Sequence, residues 1–68
     1  MNKLKERLRQ LRKENGYTQK ELAEMIGVLN YRIYDWESGR SEPSLDDLMR
    51  LAQVLQVSTD YLLGISDD

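Results

Sequence analysis

Between positions 30 and 40 the chain reads NYRIYDWESGR, which sets a carboxamide, two guanidinium groups, two phenols and two carboxylates within eleven residues. Wound as a helix at 100° per residue, Ile33 and Trp36 fall on one face. Tyr31, Asp35 and Ser38 fall on the opposite one, flanked by Arg32 and Tyr34. Hydrogen-bonding and aromatic groups clustered outward near a helix start are suited to reading the edges of nucleic-acid bases. The same groups also make an ordinary solvated face, and the pattern taken alone leaves both readings open.

Other chemistries find little support. The chain has no His and no Cys, so the commonest general base and the soft metal ligands are missing. It has no nucleophile elbow and no phosphate-binding glycine-rich loop. The acidic pairs Asp46/Asp47 and Asp67/Asp68 fit helix-start and tail positions better than a metal or acid–base site. No enzymatic activity, metal, cofactor or small-molecule ligand is expected.

The elements that must position residues 30–40 follow from capping residues and apolar spacing. Thr18 and Glu21 have the spacing of a capping box, and Tyr17 and Leu22 that of a hydrophobic staple. Leu22, Ala23 and Ile26 then share a face before Gly27 ends a helix of about two turns. Val28 fills a turn, and a helix from about Asn30 to Ser38 stops at Gly39. Upstream, a helix from about Asn2 as cap to Asn15 carries Leu4, Leu8 and Leu11 at i, i+4, i+7, with Gly16 as its stop. Downstream, Pro43 keeps Glu42 out of helical geometry. Ser44 caps a fourth helix with Asp47 at the capping-box position, and its apolar face is Leu45, Leu48, Leu51, Ala52 and Leu55. Ser58 caps a short fifth helix holding Tyr61, Leu62 and Leu63 before Gly64. Ile65, with part of Leu62 and Leu63, comes late enough in the chain to serve as the seam of a dimer. No segment alternates as a strand would.

Sixty-eight residues make a single domain, 1–68, which buries only about 60% of the surface its unfolded chain exposes. No apolar run approaches the roughly 20 residues needed to span a bilayer, and MNKLKERLRQ lacks the apolar stretch of a signal peptide. A cytoplasmic location is expected. The formal net charge of −2 argues against nucleic-acid binding, but its distribution argues the other way. Residues 1–20 carry seven cations against two carboxylates, +5, whereas residues 41–68 carry one cation against six, −5. Such a chain can turn a positive face to DNA and an acidic one to solvent, or carry its charges for solubility alone.

Residues 4–63 taken together resemble the phage-repressor (Cro-like, Xre-type) helix-turn-helix family. The resemblance is carried by LKERLRQLRKENGYTQKELAEMIGV, by IYDWESG and by EPSLDDLMRLAQVLQVSTDYLL, all at the family's fixed spacing. It implies an all-α fold, a compact five-helix lambda-repressor-like DNA-binding domain whose helix-turn-helix is formed by helices 2 and 3. Gln19 matches a glutamine that touches a phosphate and braces the recognition helix. Asn30, Tyr31, Arg32 and Asp35, with Tyr34 beside them, match positions that reach bases or adjoining phosphates. Asn can pair with adenine, Arg with guanine, and Asp can accept from cytosine N4. Arg40 matches a loop lying along the DNA backbone. Arg12 and Glu37 match an ion pair between helix one and the end of helix three, with Arg12 turned inward while Arg7 and Arg9 stay wet. Relatives usually carry a small hydroxyl residue where Leu29 stands, which leaves Asn30 either to cap helix three or to read a base.

The function the resemblance implies is sequence-specific binding of double-stranded DNA by a transcription regulator of bacterial or phage type, expected to be a repressor. It would act as a homodimer on a palindrome-like operator, its two recognition helices about 34 Å apart. The competing reading is a protein-interaction module on the same fold, such as an antitoxin or a regulator-sequestering subunit. Net acidity, Leu29 and Asp35 favour it; the basic first helix and Arg32/Arg40 do not.

Overall fold

The computed structural model describes residues 2–67, so Asp68 of the acidic tail pair lies outside the described residues. Five helices follow in order: α1 (Leu4–Glu14), α2 (Gln19–Ile26), α3 (Asn30–Ser38), α4 (Leu45–Leu55) and α5 (Thr59–Leu63). There is no strand among the described residues.

Local chemistry sets most of the boundaries. At the start of α2 the Glu21 N–H donates to Thr18 Oγ1 at 3.0 Å and the Thr18 N–H donates to Glu21 Oε1 at 2.8 Å, a closed capping box. Ser44 and Ser58 cap α4 and α5 by accepting from the N–H groups of Asp47 and Tyr61. Asp47 does not reach back to Ser44. Its carboxylate instead accepts from Arg50 at 3.2 Å, one turn along. α1 begins one residue later than the sequence suggests, with Lys3 in the cap position, and Asn2 supplies the cap from upstream by accepting from the Leu4 N–H at 3.0 Å. α2, α3 and α5 end on left-handed glycines, but α4 ends on Gln56 at φ 59°, a conformation that costs a residue bearing a Cβ.

The core joins Leu4, Leu8 and Leu11 of α1 to Leu22, Ala23 and Ile26 of α2, Ile33 and Trp36 of α3, Leu51 and Leu55 of α4, and Leu62 of α5. Each large side chain among them stabilises the fold by roughly 1.5–3 kcal/mol through burial. α2 packs on α3, α1 spans α3 and α5, and α4 closes against α2 and α5. Two apolar residues are not where the pattern puts them. Leu45 is 80% exposed, because it stands in the first turn of α4 at the edge of the stripe, where it rims a depression shared with Asn2, Pro43 and Leu63. Leu62, late in the chain, is fully buried, because α5 folds back onto α1 and the Lys3 N–H donates to the Leu63 carbonyl at 3.0 Å. Ile65 remains 74% exposed.

Candidate nucleic-acid interface

α3 is oriented by what it buries. Ile33 and Trp36 are 0% and 1% exposed, so the opposite face must point away from the domain. Asn30, Tyr31, Arg32, Tyr34 and Ser38 are exposed on or beside it, and Asp35 is half-buried. The Arg32 guanidinium lies 5.7 Å from the centre of the Tyr31 ring, within reach of a cation–π contact. α3 begins on Leu29, whose backbone is extended as a cap requires but whose side chain offers no acceptor and is 67% exposed. Asn30 is the first residue inside the helix and does not cap it. Its carboxamide, like the Asp35 carboxylate, makes no hydrogen bond among the described residues.

The other end of α3 is tied down. Arg12 reaches from α1 and grips Glu37 as a fork, with Nε to Oε2 at 2.6 Å and Nη2 to Oε1 at 3.0 Å. A third donor, Nη1, goes to the Tyr17 carbonyl at 2.9 Å, and Gln19 of α2 donates to Glu37 Oε1 at 3.2 Å. The two charged side chains are 11% and 5% exposed. The hydrogen bonds to Glu37 hold the Arg12 guanidinium above the ordinary arginine range; burial opposes the shift and the attraction between the charges adds to it. With a raised pKa, the charged form's contribution to stability is present below the ordinary arginine range and lost only at strongly alkaline pH. One cluster therefore fastens α1, α2 and α3 together. Gln19 uses one of its two amide hydrogens in it and keeps the second.

Arg40 is exposed just past Gly39, and its backbone N–H donates to the Asp35 carbonyl at 2.9 Å, which turns the loop back along α3. A surface depression of about 330 Å³ brings together Arg9, Arg12, Gln19, Tyr34, Glu37 and Ser38. Asn30 borders a different one, with Lys20 and Leu29. Tyr31, Arg32, Asp35 and Arg40 line neither.

Arg7 departs from expectation. Its side chain is only 13% exposed, lies 4.2 Å over the Tyr61 ring, donates to the carbonyls of Tyr61 and Ser66, and pairs with Asp67 at 3.0 Å. The helical wheel holds the reason. Arg7 and Arg12 each stand about 70° from the centre of the Leu4/Leu8/Leu11 stripe, on opposite sides, so both can turn inward. Arg9 points further out, on the Arg12 side, and stays exposed.

A helix-turn-helix family model matches residues 8–62, from the second turn of α1 to α5. The chain belongs to the helix-turn-helix family. Among its relatives, the HTH-type transcriptional regulator ImmR of Bacillus subtilis is 43% identical over 61 residues, covering 90% of this chain and 48% of ImmR. Repressor protein C2 of Salmonella phage P22 is 43% identical over 58 residues, covering 85% of this chain and 27% of C2. The chain thus spans about half the length of ImmR and less of C2. The crystal structure of the P22 c2 repressor with a synthetic operator superimposes with a TM-score of 0.88 at 40% identity, covering 93% of this chain and 96% of that one. The fold is the five-helix lambda-repressor-like domain, and the helix-turn-helix is α2 and α3.

Proposed function

We propose that the chain is the single DNA-binding domain of a transcription regulator that represses by seating α3 in the major groove of a palindrome-like operator. The observation that carries this reading is the asymmetry of α3. Ile33, Trp36 and Glu37 fix one face to the domain, while Asn30, Tyr31, Arg32 and Tyr34 are exposed along the other. The similarity to a repressor crystallised on its operator supports the same docking.

In this reading Asn30, Arg32 and Asp35 address base edges, and Tyr31 and Tyr34 pack against bases or sugar. Gln19 and Arg40 hold phosphates on either side, where they position without specifying sequence. Arg12 and Glu37 work at one remove, by fixing the angle of α3. The domain acts by binding alone, with no catalytic step, in the cytoplasm. Two copies read two half-sites about one helical turn apart, and exposed Ile65 is available for the seam between them.

Selection of bound sequences from a random duplex pool tests the reading. A two-fold symmetric motif is expected, with affinity falling steeply as salt rises. Arg40→Ala should weaken binding about equally on selected and random duplexes. Association that ignores salt, or a pool that yields no motif while a protein partner is recovered in stoichiometric amount, would overturn it.

A further inference from the structure

We propose that Arg9 of α1, outside the helix-turn-helix, is a DNA-positioning residue whose guanidinium engages a backbone phosphate beside the groove that α3 occupies. This rests on the DNA-binding reading above and adds a third helix to the contact surface.

Three observations lead to it. Arg9 lines the same depression as Gln19 of α2 and Tyr34 and Ser38 of α3, so its side chain reaches the surface on which the outward face of α3 lies. Its charge is unspent. Arg7 and Arg12 on the same helix are engaged by Asp67 and Glu37, whereas Arg9 is exposed and makes no ion pair or hydrogen bond among the described residues. Glu37, the carboxylate in the depression, already accepts from Arg12 and Gln19, so it does not neutralise Arg9. What remains around the depression is a free guanidinium, the second amide hydrogen of Gln19 and the Tyr34 hydroxyl. That set of donors, with a planar fork among them, matches the oxygens of a phosphate.

The test uses the full chain and its selected duplex. Arg9→Gln should keep the wild-type denaturation midpoint, weaken selected and random duplexes alike by about tenfold near 0.1 M salt, and lower the slope of log affinity against log salt by about one. Arg9→Lys should recover part of the loss. Replacing single phosphates by neutral methylphosphonates should identify one flanking position that costs wild type affinity and costs Arg9→Gln nothing. Unchanged affinity and slope in Arg9→Gln, with Arg40→Ala still impaired, overturns the role of Arg9 and leaves the DNA-binding reading standing. Loss confined to the selected duplex overturns it too, since Arg9 would then read sequence. Loss of binding to inorganic phosphate alone, with duplex affinity unchanged, marks a free-anion site and overturns it as well. Wild type that binds no duplex in a salt-dependent way overturns both readings.

Discussion

The two ends of α3 are built on opposite plans. At its C-terminal end Glu37 accepts three hydrogen bonds from two other helices, Trp36 is buried beside it, and Gly39 closes the helix. At its N-terminal end there is no side-chain cap, Leu29 stands in solvent, and Asn30 and Tyr31 are exposed. The other half of the motif shows that the chain can cap a helix when it does so, since Thr18 and Glu21 close α2 from both sides. The difference teaches that, in the proposed reading, rigidity and recognition are divided along nine residues. The foot of the helix fixes its direction, and the tip keeps polar groups unspent for a partner.

The sharpest way to break this contrast is at the foot. Glu37→Ala leaves a nearly buried guanidinium without its carboxylate and should cost about 3–5 kcal/mol. Replacing Arg12 and Glu37 together by apolar residues of similar volume should cost much less, because no unpaired charge then remains. Urea denaturation of the two variants measures both, and equal midpoints for wild type and Glu37→Ala would refute the role given to the fork. Next in size, Thr18→Ala opens the box of α2 and should cost about 1 kcal/mol by the same measurement.

The tip should respond in the opposite sense. Leu29 already has the backbone of a cap, so Leu29→Ser adds the missing acceptor and should raise stability by about 0.5–1 kcal/mol. A fall in midpoint would mean that the exposed leucine contributes packing not apparent in its surroundings. The smallest effect on stability belongs to Asn30→Ala and Arg32→Ala, each within about 0.5 kcal/mol of wild type. Their consequence should appear in binding instead, as relaxed sequence preference in a selection experiment. A variant that keeps full preference does not read a base.

How much of this is legible in the sequence depends on distance along the chain. The caps at Thr18, Ser44 and Ser58 and the stops at Gly27, Gly39 and Gly64 are set by groups within a few residues of one another, and they can be read directly. The outward face of α3 follows from the same helical period that buries Ile33 and Trp36. Arg7 could not be read in this way, because its acceptors at Tyr61, Ser66 and Asp67 lie 54, 59 and 60 residues downstream. Family resemblance pairs Arg12 with Glu37, 25 residues away; the spacing of the residues alone does not join them. Leu45 is exposed although it belongs to the apolar stripe, because a stripe says which side of a helix is buried, not how far along the helix its neighbours extend. Gln56 gives no sign of its left-handed backbone, since nothing in a glutamine marks that conformation.

Trp36 is the only tryptophan in the chain, and it sits 1% exposed on the underside of the helix whose other face is proposed to meet DNA. The molecule therefore carries its own optical gauge. The emission of a single buried indole reports whether α3 is seated, without a label and without competing signal from other tryptophans. Binding that leaves the spectrum unshifted would mean that DNA meets a helix already in its working position. A shift would mean that the operator itself adjusts the seat.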